Sequence, residues 1–428
     1  MARRPCIAVL ILLTLAWSSP QGQERMDLIV EGTGSTRIKI AIPEAQTSAG
    51  YTETTRELVE AIRSDLEFSG YFEVVDPKLY GLVPPSSDGT VRHDDWLSIG
   101  ADAMVQIRVP VQDDRIDLEA RLYDNETGSA VFARRYGGRL GTIRRVGHLV
   151  ADDIVKHYTG KIGVGLTRIA FVSEFRGNKE IYLMDYDGRR IRRLTSSGTI
   201  NLSPVWSPDG TELAFMSWRG RQPGVYVMSA EGELGRLRTV GGELSSAPDW
   251  SHDGRQLAYT SDIDGNTEIY VLDRNSGRNR RLTHSRAIDT APAFSPNGRE
   301  IAFTSDRSGS PQIYVMGADG LNVRRLSWES SYNDSPAWAP RGDRLAYASR
   351  IDGRFHIVVL DLATGRVTPL TRGRHNNENP RWAPDGRHLV FSSNRAGAYH
   401  IYTMRADGSD VRRLTRGEDG YTPDWSFK

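Results

Sequence analysis

Cysteine is almost absent: the 428 residues hold one, Cys6. It stands before the one long apolar run, Ile7–Trp17, which follows Met1-Ala-Arg-Arg-Pro5 and gives way to Ser18–Gln23. A basic start, a short hydrophobic centre and a small polar end read as a signal peptide, residues 1–23. The run is too short to span a membrane permanently, and Cys6 precedes it, where no lipidated cysteine would stand. The expectation is an exported, soluble chain without disulfides, as in a bacterial periplasm. Charge of one sign is missing too. Lys plus Arg number 55 and Asp plus Glu 54, so nothing marks a binder of nucleic acid or acidic polymers. Catalytic signatures are absent: no Gly-x-Ser-x-Gly elbow, no His-Glu-x-x-His, no Walker A loop. Gly163-Val-Gly165 and Gly32-Thr-Gly34 lack the third glycine of a dinucleotide loop. The nine histidines form no i, i+2 or i, i+4 pair, so no metal site is expected. Asp185–Gly188 and Asp262–Gly265 read Asp-x-Asp-Gly without the other ligands of a calcium loop, and are turns.

What the chain has is a repeat. Ser203–Gly210 reads Ser-Pro-Val-Trp-Ser-Pro-Asp-Gly. Variants return at Ala247–Gly254, Ala291–Gly298, Ser335–Gly342 and Asn379–Gly386, with a truncated copy at Thr422–Trp425. The prolines Pro204, Pro248, Pro292, Pro336, Pro380 and Pro423 are spaced 44, 44, 44, 44 and 43. A strict period of this size, made of short strands, marks a β-propeller. Pro-Asp-Gly is a turn, because Pro presets φ and Gly accepts a positive one. It joins the aromatic segment to an apolar run such as Leu213–Phe215 or Ile301–Phe303. A third strand begins at Ile181, Val225, Ile269, Ile313, Ile357 and Ile401. A weaker fourth ends in Arg-Arg-Leu-Thr or a relative, as at Arg192–Thr195, its arginines expected to guard the outer edge against pairing. Strands apolar on both faces suit blades sandwiched between neighbours. The aromatic two after each proline (Trp206, Trp250, Phe294, Trp338, Trp382, Trp425) takes five of the nine tryptophans and reads as core. Burying each is worth roughly 1.5–3 kcal/mol.

One period before Pro204 the motif is missing, yet Ile169–Phe171, Ile181–Met184 and Ile191–Thr195 supply three strands. The orphan Thr422–Phe427 supplies the fourth. The sequence therefore predicts a six-bladed propeller over 166–428, its first blade closed by the C-terminal strand. Residues 24–165 read as an α/β domain. Arg37–Ile42 alternates as a strand; Leu58, Ile62 and Leu66 line a helix with a capping box at Thr54–Glu57, ended near Gly70. Phe72–Val75 is a strand and Asp94–Ile99 a short helix. Ala103–Val111, Arg115–Tyr123 and Ser129–Tyr136 form a meander, and Ile143 to Ile154 line a last helix stopped at Gly160. Ahead of this domain, Met26–Gly34 reads either as an edge strand or frayed end, or as a portable peptide that adds a strand to a partner's sheet.

Inner strands of a propeller line its channel, so residues just before each proline are expected at the mouth. Three before stand Asn201, Ser245, Asp289, Asn333 and Asn377; two before stand Leu202, Ser246, Thr290, Asp334, Glu378 and Tyr421; four before stand Ile200, Leu244, Ile288 and Tyr332. A polar rim around an apolar patch suits protein or peptide recognition; a merely solvated channel is the alternative. An exported propeller enzyme, hydrolase or lyase, would need titratable groups converging at the mouth, where Asp289, Asp334 and Glu378 are the acids available.

The repeat elements (Pro-x-Trp-Ser-Pro-Asp-Gly, Ile-Ala-Phe-x-Ser, Ile-Tyr-x-Met-x-x-Asp-Gly, Arg-Arg-Leu-Thr) resemble the WD40-like repeats of the TolB family. So does the order of signal peptide, small α/β domain and six-bladed propeller ending Thr-Pro-Asp-Trp-Ser-Phe. The prolyl-oligopeptidase and tricorn propellers carry similar repeats beside a hydrolase domain, which is not expected here. The resemblance implies a non-enzymatic periplasmic scaffold of the Tol–Pal system, without cofactor, supporting outer-membrane integrity and envelope constriction in cell division. It implies that the lipoprotein Pal binds the mouth at Asn201, Leu244, Ser245, Asp289, Thr290, Tyr332, Asn333, Asp334, Asn377, Glu378 and Tyr421. It implies that TolA binds the mature N-terminus at Asp27, Leu28, Ile29, Val30 and Glu31. Other outer-membrane proteins are further candidate partners; nucleic acid and membrane insertion are not. The chain departs from the pattern at Gly235–Thr239, where the leucine falls one place early, and at His252, which replaces a turn proline.

Overall fold

A computed structural model describes residues 37–48, 50–84, 90–220, 222–239, 244–417 and 419–427. The expected signal peptide and the arm residues 27–31 lie outside them. Among these described residues the N-terminal region holds three α-helices, α1 (Thr52–Ser69), α2 (His93–Ser98) and α3 (Ile143–Thr159), and a seven-stranded sheet. Ile38–Ala41 lies parallel between Phe72–Val74 and Ala103–Val109. Ala103–Val109 is antiparallel to Arg115–Asp124, which in turn pairs with Ser129–Arg139. The apolar stripe of α1 (Leu58, Ile62, Leu66) and that of α3 (Val146, Val150, Ile154) share one core with the sheet. α1 and α3 stop on Gly70 and Gly160, whose φ values of 74° and 67° suit glycine. The capping box does not form: α1 begins before Thr54, at the N-cap Tyr51, without a side-chain cap. The hydroxyl that binds there is that of Thr55, donating to the Tyr51 carbonyl (3.1 Å).

The rest of the described chain is six four-stranded antiparallel sheets. Blade 2 runs Asn201–Trp206, Glu212–Ser217, Gly224–Ser229, Leu234–Arg238, from inner to outer strand. Blades 3 to 6 repeat it, with inner strands Ser245–Trp250, Asp289–Phe294, Asn333–Trp338 and Asn377–Trp382. In blade 1, Tyr421–Trp425 is the inner strand beside Arg168–Phe175, pairing Trp425 with Ile169. Trp425 Nε1 also donates to Thr167 Oγ1 (2.8 Å), so the two ends of the ring are stitched together. Trp206, Trp250, Phe294, Trp382 and Trp425 of the aromatic column are buried core, and Trp338 packs half-buried against it. The turn between inner and second strands repeats, with Gly210 at φ 71° and Ser207 Oγ accepting from the Glu212 N–H (2.9 Å).

These turns, with those between third and outer strands, make one face of the ring. The N-terminal region sits on it, at the junction of blades 6 and 1. Phe68 of α1 stacks on His388 at 4.0 Å and tilts against Tyr186 at 5.1 Å and Trp425 at 6.4 Å. Arg387 and Arg405 donate to the last carbonyls of α1, at Ser69 and Glu67, both at 3.2 Å. Asp65 accepts from the Tyr186 hydroxyl and pairs with His148 (2.6 Å); burial raises its carboxyl above the usual range. These contacts all fall on the turn face. The other face carries the approaches to the inner strands and the hairpins between second and third strands.

Candidate interaction surface on the propeller

Each inner strand is interrupted at one place. Its register against the second strand shifts just before the proline. There Ser203, Ala247, Ala291, Ser335, Asn379 and Thr422 take φ between 41° and 57°. A left-handed non-glycine residue costs about 1–2 kcal/mol, and the extra residue of a bulge re-aims its neighbours. The residue three before the proline is turned into the wall of the ring. Asn201, Ser245, Asp289, Asn333 and Asn377, expected at the mouth, are each at most 1% exposed.

Instead Asn201 and Asn333 pin adjacent blades together, and the other three bond within their own blades. Asn201 Nδ2 donates to Glu180 Oε2 of blade 1 (2.9 Å) and accepts from Ser217 (2.7 Å). Asn333 Nδ2 donates to Gln312 Oε1 of blade 4 (2.8 Å). Within their own blades, Ser245 meets Ser261 at 3.2 Å and Asn377 accepts from Arg395 (2.7 Å). At the closing seam the position is Gly420, where a Cβ would lie 2.6 Å from Ile401 Cγ1. The repeated Thr or Ser after the arginine pair has a matching task. Thr195, Thr239, Thr283, Ser327, Thr371 and Thr415 each accept a third-strand N–H at 2.8–3.1 Å. Thr239 keeps this bond although its blade carries the early leucine; a bulge between Tyr226 and Met228 absorbs the shift. The arginines also reach across seams: Arg192 and Arg280 donate to the Ala230 and Asp319 carbonyls of the next blade at 2.9 and 3.0 Å.

The remaining candidates stay at the mouth. Leu244, Thr290, Tyr332, Asp334, Glu378 and Tyr421 are half-buried. Thr304 donates to Asp334 (2.8 Å) and the Tyr399 hydroxyl to Glu378 (3.0 Å). Burial raises both carboxyls above their usual range, and the Asp334 charge adds to the rise at Glu378. Tyr332 stands edge-on to Phe355 at 5.3 Å, and Tyr399 lies 5.5 Å from Tyr421. Lys179 Nζ sits 4.0 Å over the Tyr421 ring, a cation–π contact. Around them the same face exposes Ile200, Ile263, Ile288, Phe175, Trp218 and Trp328, the last at 67%. Sequence reasoning missed Phe355, Tyr399, Trp218 and Trp328. The signal for the tryptophans was present: both stand outside the 44-residue aromatic column, so no blade needs them for its core.

For chemistry the acids offer little convergence. Asp289 is occupied by Arg307, and Asp334 and Glu378 by hydroxyl donors. Among the described residues no three His, Cys, Asp or Glu group as a metal site, and no helix is long and apolar enough to cross a membrane.

The family model described as the TolB beta propeller domain matches residues 155–379 and 333–428, and that of the TolB amino-terminal domain matches 26–131. The chain belongs to the TolB family. A Tol-Pal system protein TolB from Geobacter sulfurreducens is 40% identical over 186 residues, 43% of this chain and 43% of that protein. One from Bordetella pertussis is 38% identical over 216 residues, 49% of this chain and 47% of that protein. The chain spans about half the length of the curated relatives it matches. The crystal structure of TolB from Acinetobacter baumannii superposes with a TM-score of 0.80 at 27% identity, covering 92% of this chain and 97% of that one. The two-part TolB architecture thus holds across the described residues.

Proposed function

We propose that this chain is a non-enzymatic periplasmic scaffold of a Tol–Pal system. It binds the lipoprotein Pal on the open propeller face and TolA through Asp27, Leu28, Ile29, Val30 and Glu31, and so supports outer-membrane integrity and envelope constriction at division. Family membership and the Tol-Pal names of its relatives support the system. The observation that carries the site is the open face, where exposed Trp218 and Trp328 ring a half-buried patch of Tyr332, Tyr421, Asp334 and Glu378, opposite the face the N-terminal region occupies. Aromatics at a polar-rimmed patch are the usual anchors of protein interfaces. Of the sequence candidates, the contact set on this reading is Leu244, Thr290, Tyr332, Asp334, Glu378 and Tyr421; the five buried residues support the wall behind it.

The test is calorimetric titration of residues 24–428 with the soluble domain of Pal from the same organism. Saturable one-to-one binding is expected, weakened about tenfold or more by Trp328→Ala or Tyr332→Ala. Removing residues 26–34 should abolish TolA binding and leave Pal binding intact. A folded chain that does not bind Pal, or binds it equally well with both aromatics replaced, overturns the reading.

A further inference from the structure

Two of the six seams between blades share one side-chain pin. At the head of the third strand the column reads Glu180, Gly224, Glu268, Gln312, His356, His400. Facing it on the next inner strand stand Asn201, Ser245, Asp289, Asn333, Asn377 and Gly420. Where the two bond directly, a donor meets an acceptor, as in Asn201 to Glu180 (2.9 Å) and Asn333 to Gln312 (2.8 Å). Between blades 3 and 4 the column sets Glu268 against Asp289: the Asp289 N–H donates to the Thr267 carbonyl (2.9 Å), as the Asn333 N–H does to Pro311 (2.9 Å), and both carboxylates are fully buried. An ionised carboxylate only accepts, so these two cannot pin the seam as Asn201–Glu180 and Asn333–Gln312 do unless one carries a proton. Glu268 Oε2 is buried with no hydrogen-bond partner.

Charges approach this pair from each neighbouring strand. Arg281 of the outer strand reaches Glu268 (2.7 Å) but divides itself with Asp264 (3.3 Å), which also accepts from the Tyr270 hydroxyl (2.6 Å). Arg307, after the second strand of blade 4, reaches both Asp289 oxygens (3.0 and 2.8 Å). Its neighbour Asp306 is spent on the Ile288 N–H (2.8 Å). Burial raises the Asp289 carboxyl against Ser305 and Arg307, and the Glu268 charge raises it further. Burial would raise Glu268 too, but Thr283, the Ser285 N–H and Arg281 bring it below its usual range.

We propose that the seam between blades 3 and 4 is a proton-operated joint, in which one proton shared by Glu268 and Asp289 holds residues 288–290 of the open face in place. The sign follows from the two directions. The raised group, Asp289, stabilises the fold at low pH, and that contribution is lost as pH rises through its folded value. The lowered group, Glu268, stabilises it above the ordinary carboxylate range, and that contribution is lost on acidification. The seam is therefore tightest between the two limbs. Ile288 and Thr290 flank Asp289 on the open face, so a partner seated there would feel the proton.

The experiment compares thermal unfolding of the mature chain with that of the double variant Glu268→Gln, Asp289→Asn from pH 4 to 8. That variant copies the Gln312–Asn333 seam, which the ring already tolerates. The expected difference profile is a dome, with Asp289→Asn alone removing the alkaline limb. Hydrogen exchange at residues 288–290 should exceed that of the double variant on both limbs. A flat difference profile means that Arg281 and Arg307 neutralise both carboxylates, and overturns the proposal. Carbon-13 titration of the Asp289 carboxyl in the unsubstituted chain needs no variant: a midpoint at or below the ordinary carboxylate range overturns it too. None of these readouts uses Pal, so they stand or fall apart from the assignment of the open face.

Discussion

On the turn face, Gly210, Gly254, Gly298, Gly342 and Gly386 adopt φ values of 65–72°, one turn written five times. On the open face, the position four before each proline reads Ile200, Leu244, Ile288, Tyr332, Asn376 and Asp419. The two faces descend from the same repeat and obey different constraints. Turn and seam positions must satisfy backbone geometry and buried hydrogen bonds, so they recur. Rim positions share no common partner inside the ring (Tyr332 meets Phe355, Asn376 accepts from the Phe355 N–H, and Asp419 accepts from the Tyr421 hydroxyl), so their chemistry is freer to answer to something outside it. Tryptophan shows the contrast in one residue type: Trp425 is 2% exposed inside the column, and Trp328 is 67% exposed outside it.

The largest expected effect breaks that contrast directly. Trp425→Ala should cost about 3–5 kcal/mol of stability, the range for deleting a buried aromatic, because it empties the closing strand and the socket of Phe68. Trp328→Ala should shift stability by about 0.5 kcal/mol or less. Denaturant midpoints of the two variants decide the matter; equal losses would mean that the open-face tryptophan is structural after all. A second, pH-dependent effect tests the channel wall. Asp249 follows the proline of blade 3 and accepts from the Phe294 N–H (2.7 Å); burial pushes its carboxyl up to about 7, with Arg381 opposing. A raised acid contributes most below its unfolded value and loses that contribution as pH climbs through about 7. Asp249→Asn should therefore flatten part of the fall in unfolding free energy between pH 4 and 8, by on the order of 1–2 kcal/mol. An unchanged profile would show that Arg381 keeps Asp249 ionised throughout. The smallest effect sharpens the comparison at the bulges. Ala291 sits at φ 50°, so Ala291→Gly should raise stability by about 0.5 kcal/mol, whereas glycine at Ile288 should not. A loss at residue 291 would mean that the methyl group earns more from packing than the strain costs.

The blade count and the closing strand were legible because the period is written out in full, down to Thr422–Trp425. The helix ends at Gly70 and Gly160 were legible for the same local reason. The bulge was not. Its left-handed residues are Ser, Ala, Asn and Thr, never Gly, so the usual marker is missing, and Asn201, Ser245, Asp289, Asn333 and Asn377 were set at the rim when they are buried in the wall. Thr54 matched a capping pattern but starts one turn late. The seat of Phe68 could not be read from α1 at all, because His388, Tyr186 and Trp425 meet it only after the ring has formed. Trp218 and Trp328 were readable as departures from the column, since both stand outside the 44-residue period.

Closure by the last strand also sets an order in time. During synthesis the N-terminal sheet and blades 2 to 6 can take shape as their residues appear, while Arg168–Phe175 waits with an unpaired edge. The socket for Phe68 waits as well, since Trp425 is part of it. Ring closure and docking of the two regions are thus a single late event. Until it happens the chain carries a bare strand and an exposed aromatic, the features most prone to mispairing and aggregation, so the rate of this last step governs how long each newly made molecule is at risk.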